Sequence, residues 1–386
     1  MKLTIDLSEL RTAGSLCLKC GSCTYGEWPE NFILCPIYAH ERSFTASPGG
    51  IVYIMRAILE GNMDYSQSMA ELLYSCPLCE AADDRCPIIS IPRPHASLSD
   101  MIRLLRYQLV KHGLVPENIR GLYEKIRSEG DYIRSTVALI VPEKIRNEKA
   151  DLVIFAECFH TAEQIRSFEY ALRLLEKIGN PISLFLDGGC CGSTLYDLGF
   201  WDQLGPLVAK KWKKMNHFNG KTFVFLNPHC QEFVVKRYPE ILPDSKGIKS
   251  QHFSEILVEA LKEGRLKTKR GGKVKVSYHD PCRLGRGLGV YEAPREVLSC
   301  LDGVDLVEMR RNRKNSFCCG AGSLGEYFPN FRQATAKERM EEFWKTGGDF
   351  LITSCLYCKE AFEKTLPDNE KGRIKDLFEF VNERTE

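Results

Sequence analysis

The chain has 386 residues, enough for two or three domains with real cores. Its 53 basic and 51 acidic residues leave a formal charge of +2 with no long basic run, so binding to nucleic acid or an anionic membrane has no electrostatic support. The 17 cysteines are about 4% of the chain, well under the density of a disulfide scaffold.

The N-terminus lacks the charged-then-apolar profile of a secretory signal, and Met1-Lys2-Leu3-Thr4-Ile5-Asp6 reads as the start of a mature protein. No apolar run approaches membrane-spanning length. The expectation is a cytoplasmic protein in a reducing compartment, where many cysteines mean metal or redox work.

The first cysteines form two runs. Cys17-x2-Cys20-x2-Cys23 places three thiolates close together, with Cys35-Pro36 after a longer gap, and the second run is Cys76-x2-Cys79-x6-Cys86-Pro87. Ferredoxin-type modules repeat Cys-x2-Cys-x2-Cys-x3-Cys-Pro, each fourth cysteine serving the other cluster. Here eight extra residues precede the first Cys-Pro, and Ala82 sits where the second run's third cysteine belongs.

By position, Cys17, Cys20, Cys23 and Cys86 make a complete set for a [4Fe-4S] cubane. Cys35, Cys76 and Cys79 make an incomplete one, for a [3Fe-4S] cluster or a [4Fe-4S] cluster completed by Asp83 or Asp84. The plainer reading of Asp83 is a solvated loop carboxylate. Structural zinc is the rival for closed cysteine sets. Three cysteines at two-residue intervals with two Cys-Pro pairs favour iron–sulfur.

Between the runs, Ile51, Ile54, Met55, Ile58 and Leu59 recur at helical spacing behind Pro48-Gly49-Gly50. Leu104, Leu105 and Leu109, then Leu122 and Ile126, predict two helices around Val115-Pro116.

Beyond residue 150, strands and cysteines alternate. Apolar stretches 152–155, 182–186 and 223–226 deliver Cys158, then Cys190-Cys191-Gly192, then Asn227 and Cys230. Stretch 274–277, the segment before Cys318, and stretch 350–353 deliver Cys282, then Cys318-Cys319-Gly320, then Cys355 and Cys358. Helices follow, for example over 200–215 and 331–344. Thirty-five residues separate Cys282 from Cys318, Cys319 from Cys355, and Cys191 from Asn227. This regularity is an internal duplication that lays Asn227 on Cys355 and Cys230 on Cys358. Strand, cysteine and helix in repetition predict a parallel α/β arrangement with ligands at the carboxyl ends of strands. Residues 267–272 are expected to be a polar, solvated joint between copies.

Cys282, Cys318, Cys319, Cys355 and Cys358 exceed the four thiolates of an ordinary cubane or a zinc tetrahedron. Either one sulfur is spare or the site is an unusual cluster. Gly320 and Gly322 give a turn whose backbone N–H groups can face a negatively charged cluster. His279 and His229 each lie within three residues of a cysteine, as proton donors or, more plainly, as locally hydrogen-bonded groups. Cys300 fits no spacing and is expected to be a small buried residue. No Gly-x-Gly-x-x-Gly opens a helix after a strand, so nicotinamide or flavin binding is unsupported.

Cys282-x35-Cys318-Cys319-Gly320-x34-Cys355-x2-Cys358 resembles the cysteine-rich CCG domain shared by heterodisulfide reductases and related iron–sulfur oxidoreductases. A two-cluster module followed by two such domains is similar to the heterodisulfide reductase D type, in which C-type and B-type parts are fused. The resemblance implies an α+β, helical, ferredoxin-like two-cluster domain over 1–99 and a helical linker over 100–149. It implies two duplicated α/β CCG domains with parallel-sheet character, over 150–266 (degenerate at Asn227) and 273–386 (complete).

It further implies that Cys282, Cys318, Cys319, Cys355 and Cys358 hold a noncubane [4Fe-4S] cluster and act catalytically. Electrons would pass between the N-terminal clusters and that cluster, where a thiol or disulfide reacts. Cys158, Cys190, Cys191 and Cys230 would hold zinc or an altered cluster. The degenerate copy also resembles those in iron–sulfur subunits of glycolate oxidase and anaerobic glycerol-3-phosphate dehydrogenase. That implies the alternative of an electron-transfer subunit with no substrate of its own. The implied partners are redox subunits: a flavoprotein such as one of the heterodisulfide reductase A type, or a membrane cytochrome subunit. Through such a partner the chain would sit peripherally on the inner face of a membrane.

Overall fold

The computed structural model describes residues 11–12, 14–26, 32–87, 97–129, 147–156, 162–186, 189–322 and 327–386. Strands β1 (Leu152–Ala156), β2 (Ser183–Leu186), β3 (Thr222–Phe225) and β4 (Lys249–His252) make one sheet. Strands β5 (Val274–His279), β6 (Val304–Leu306), β7 (Phe350–Thr353) and β8 (Ile374–Asp376) make another. Every pairing is parallel, and the orders β2-β1-β3-β4 and β6-β5-β7-β8 are the same order twice. The repeat in the cysteine spacing is therefore matched by a repeat in topology.

Some elements depart from expectation. The edge strands β4 and β8 are short and mostly polar, so neither produces an apolar signal. β6 ends at Leu306, and Cys318 is reached through a loop with a 3-10 turn at Arg313–Asn315 rather than straight from a strand. The helix expected over 200–215 is a 3-10 turn at Trp201–Gln203 followed by an α-helix at Leu204–Met215. The joint over 267–272 keeps exposed side chains, but its backbone is pinned. Thr268 bridges Thr385, Lys269 N–H donates to Arg384 O, and Gly271 N–H donates to Asp302 at 3.0 Å.

Helices Pro48–Leu59, Gln67–Ser75 and Leu98–Lys111 begin at Ser47, Ser66 and Ser97, whose hydroxyls each accept a backbone N–H one turn on. Their inner faces (Ile51, Met55, Leu73, Leu105, Leu109) join one continuous core with Val153, Phe155, Phe223 and Phe225. The alternate residues Ile154, Ala156, Val224 and Leu226 face the other way. There they meet helices Ala162–Ile178, Phe253–Lys262, Glu292–Cys300 and Leu377–Glu383, which also cover Val274, Val276 and Tyr278 of β5. Leu351 packs on the opposite side with Phe343 and Phe362.

Arg106, fully buried, donates to Leu73 O, Cys76 O and Asp197 O, tying the N-terminal helices to the first repeat. No helix among the described residues is long and apolar enough to cross a membrane.

Candidate functional site

β5 and β7 are neighbours, ending at His279 and Thr353, so Cys282 and Cys355 leave the sheet side by side. Cys355 sits at the N-cap of the helix Leu356–Glu363, which carries Cys358 one turn on. Cys318 and Cys319 arrive on a turn where Gly320 has φ 77°, and a Cβ there would lie 2.9 Å from Thr335. Gly192 takes the same left-handed region after Cys190-Cys191.

Four of the five thiols are buried and Cys282 is half-buried. The Cys319 and Cys358 sulfurs are 3.1 Å apart. Cys318 contacts both Cys282 and Cys319, and Cys358 contacts Cys355, so all five sulfurs converge. Gly320 and Ala321 point their N–H groups at the Cys318 and Cys319 sulfurs, at 3.3 and 3.4 Å.

Hydrogen bonding among the thiols, with burial added, pushes Cys318 and Cys358 well up. Cys319 is held well down by bonds from Cys318, Cys358 and His279. Uncompensated thiolates are costly in such a low-dielectric pocket. Five ligating sulfurs fit a group that brings its own positive charge, as iron does.

The first repeat gathers Cys190, Cys191 and Cys230, all buried, with Cys191 hydrogen-bonded to both others. Cys158 lies outside the described residues. Asn227 stands at the N-cap of the helix Pro228–Lys236, where its Oδ1 accepts from His229 N–H at 3.0 Å. The His229 ring packs edge-on against Tyr357, with centroids 5.1 Å apart, so the two repeats meet beside Cys358. Cys300 is exposed at the end of its helix rather than buried, because the periodicity of the helix Glu292–Cys300 turns Val297 and Leu298 inward instead.

In the N-terminal module, Cys17, Cys20, Cys23 and Cys86 line one cavity of about 220 Å³. Burial, then the neighbouring thiols of Cys86, Cys17 and Cys20, push Cys23 up to about 12. Cys35, Cys76 and Cys79 line a second, smaller cavity of about 30 Å³, and Ala82 lies in the walls of both. Burial raises Cys35 and takes Cys76 to about 11. Lys19, Leu78 and Glu80, beside Cys20 and Cys79, have φ of 59°, 51° and 60°, a strained region for such side chains.

Asp83 is not a solvated loop carboxylate. Its Oδ1 accepts from Ser99 N–H at 3.2 Å, at the start of the helix Leu98–Lys111, and burial raises its pKa. Its Oδ2 is buried without a hydrogen-bond partner among the described residues. Asp84 is exposed and 3.6 Å from Arg85.

Two features escaped the sequence reading. The Cys79 thiol hydrogen-bonds Cys318, which lowers its pKa, and the two share a packed cluster that Cys282 borders. Arg286 spans the same junction, donating from Nε to Cys79 O at 2.8 Å and from Nη1 to Ser316 O at 2.8 Å. A Cβ on Gly322 would lie 2.9 Å from Pro77 O, so the Cys76–Cys79 loop abuts the five-cysteine set directly.

The second feature is a buried charge network. Arg283 reaches Asp197 at 2.7 Å, Glu232 at 2.8 Å and Glu80 at 3.4 Å, while Arg103 reaches Asp197 at 2.8 Å and Asp100 at 2.9 Å. Burial and the neighbouring Glu232 raise Glu80. Burial also opposes ionisation of Glu232, but Arg283, Lys236 and Arg103 together with the hydrogen bond to Glu80 outweigh it and lower Glu232, so Glu80 holds the proton of the pair. The available signal was positional: Glu80 follows Cys79, Arg283 follows Cys282, and Glu232 lies just beyond Cys230.

Residues 276–363 match the cysteine-rich CCG domain family. The chain is similar to the D subunit of the dihydromethanophenazine:CoB–CoM heterodisulfide reductase of Methanosarcina acetivorans. Identity is 27% over 380 residues, covering 92% of this chain and 88% of that one. The corresponding D subunit of Methanosarcina mazei is 27% identical over 413 residues, covering 98% of this chain and 95% of that one. An EtfAB:quinone oxidoreductase of Syntrophomonas wolfei is 24% identical over 359 residues, covering 84% of this chain but 48% of that one. The crystal structure of a hypothetical protein from Helicobacter pylori shares the fold, with a TM-score of 0.58 at 14% identity, covering 88% of this chain and 67% of that one.

Proposed function

We propose that the chain is an iron–sulfur oxidoreductase subunit of the heterodisulfide reductase type, relaying electrons between its N-terminal cysteine sets and the five-cysteine set of the second repeat, where a thiol or disulfide reacts. Cluster one, a [4Fe-4S] cubane, is assigned to Cys17, Cys20, Cys23 and Cys86. Cluster two, [3Fe-4S] or [4Fe-4S], is assigned to Cys35, Cys76 and Cys79. A noncubane [4Fe-4S] cluster is assigned to Cys282, Cys318, Cys319, Cys355 and Cys358. Bound there, such clusters accept and pass single electrons.

The observation that carries this reading is the contact of Cys79 with Cys318, which in turn contacts Cys282. The second N-terminal set ends where the five-cysteine set begins, so sulfur touches sulfur along the route. Arg286, bonded to both sides, fixes that approach. Cys158, Cys190, Cys191 and Cys230 are read as a structural site, for zinc or an altered cluster, because Asn227 serves as a helix cap.

The working domains are the module 1–99, the linker 100–149 and the repeats 150–266 and 273–386. Other redox subunits, a flavoprotein or a membrane cytochrome subunit, supply or take the electrons. Similarity to an EtfAB:quinone oxidoreductase favours a second reading, an electron-transfer partner of a flavin dehydrogenase with no substrate of its own.

Low-temperature EPR of the oxidised, anaerobically purified protein, with and without added thiol, tests this alongside iron and zinc analysis. A signal that changes with thiol supports thiol–disulfide chemistry at the five-cysteine set. Cubane or three-iron signals indifferent to thiol favour the relay alone. Zinc without iron overturns both.

A further inference from the structure

At the five-cysteine set, Arg339 contacts His279 and His279 contacts Cys319. Arg339 is fully buried on the helix Pro329–Trp344, and its Nε donates to His279 Nδ1 at 3.2 Å. Its Nη1 is held by Glu342 at 2.6 Å, and Nη2 reaches Ser316 Oγ at 3.5 Å. A guanidinium has no acceptor atom, so Nδ1 must be the accepting nitrogen and cannot carry a proton. The ring is therefore neutral, with its one proton on Nε2.

The same ring hydrogen-bonds Cys319 and lies within 4.8 Å of the Cys319 and Cys358 sulfurs. Phe362 packs edge-on against it, with centroids 4.8 Å apart, restricting rotation. His279 precedes Cys282 by three residues, and Arg339 follows Cys319 by twenty. The same offsets in the first repeat, from Cys158 and Cys191, land on Phe155 and Lys211. These two also touch, the Lys211 Nζ lying 5.6 Å from the Phe155 ring centroid. Both repeats keep a cation against a ring, but only the second has a ring with an N–H to give.

We propose that His279, held by Arg339 as the Nε2–H tautomer, donates a hydrogen bond to the Cys319 sulfur and raises the reduction potential of the group bound there. This rests on reading Cys282–Cys358 as an iron–sulfur site. An N–H···S bond stabilises the more negative, reduced state, so its loss makes the site harder to reduce. His279 and Arg339 are positioning residues here, Arg339 acting only through the ring.

The experiment uses the full chain, purified anaerobically with its iron and labelled with 15N-histidine. EPR-monitored redox titration gives the midpoint potential, and pulsed EPR gives the nitrogen coupling. His279→Phe, the first repeat's residue, is expected to keep its iron, lose the coupling and shift the midpoint to more negative potential. His279→Gln, which retains an N–H donor, should shift it less. Arg339→Lys should shift it in the same direction in wild type, and not at all in the His279→Phe background.

An iron-loaded His279→Phe protein with the wild-type midpoint overturns the proposal, as does an Arg339→Lys shift that persists without the ring. Should His279→Phe fail to take up iron, wild-type midpoints in both His279→Gln and Arg339→Lys overturn it. A wild-type protein holding zinc and no iron would refute the cluster reading alone. The 15N shifts of His279 in that protein then decide the hydrogen bond: an Nε2–H tautomer supports it and an Nδ1–H tautomer overturns it.

Discussion

At the end of β3, Asn227 turns its side chain back to cap the helix it begins. At the matched end of β7, Cys355 begins its helix with no capping bond and a thiol in contact with Cys358. One residue position can satisfy the orphan N–H groups of a helix or lend a sulfur to a site. The two repeats have taken opposite options. The same division runs one layer deeper, where Phe155 and Lys211 pack as ring and cation while His279 and Arg339 are hydrogen-bonded toward sulfur. The first repeat is built for cohesion and the second for charge.

The hardest test of that contrast is to write the first repeat's residue into the second. Cys355→Asn should remove the thiol-responsive EPR signal and lower iron per chain. Turnover with a disulfide acceptor should fall by more than about 100-fold, the upper end of what outer-shell partners of a metal cost. Retention of the signal would make Cys355 the spare sulfur.

Next comes the charge network that joins the repeats. Arg283→Met leaves Asp197 and Glu232 buried without their shared cation, and should cost about 3–5 kcal/mol in chemical denaturation. A loss below about 1 kcal/mol would mean that the repeats are held together mainly by apolar packing.

The caps that end the edge strands set a contrast in pH response. His252, the last residue of β4, accepts from Ser254 N–H, and burial lowers its pKa from 6.5 to about 4. The unfolded chain binds the extra proton between those values, so stability falls as pH drops from about 6.5 to about 4, by about 3 kcal/mol in all. Asp376, at the matched last position of β8, accepts from Phe378 N–H, and burial raises it from 3.8 to about 6. There the folded chain binds the extra proton, so its contribution is full below pH 3.8 and is lost as pH rises through about 6. Asp376→Asn keeps the cap and should be more stable than wild type at pH 7 by up to about 3 kcal/mol, a gap that closes by pH 4. Denaturant midpoints across this range would show it. A constant gap would place the effect outside titration.

The smallest effect belongs to Asn227→Ala, which should cost about 1 kcal/mol through the lost cap and leave iron content unchanged. A fall in iron would give Asn227 a part in metal binding after all.

The chain's plan was legible where chemistry constrains spacing. Cysteines gathered at one end of a sheet recur at about the length of one strand–helix unit, whether they leave a strand directly, as before Cys282 and Cys355, or by a loop, as before Cys318, which is why their spacing pointed to the repeat. β4 and β8 were illegible because four polar residues in one and a single apolar residue, Ile374, in the other give no apolar alternation to read. Asp83 was misread because its neighbours in sequence are charged, whereas its burial comes from Ser99 on another helix. The meeting of Cys79 with Cys318 was out of reach for the same reason. Nothing local to either run of cysteines encodes which of the two repeats the N-terminal loop will face.

The core shared by the N-terminal helices and the first sheet bears on how the protein is made. Leu73 and Leu105 leave the ribosome well before Phe155 and Phe225, the side chains that complete their packing. During that interval the thiols of the N-terminal runs are attached to helices that have not yet closed around them. Synthesis from one end thus leaves those thiols open to reagents in solution for a period that ends when β3 docks. Slowing translation between the two segments would lengthen that period.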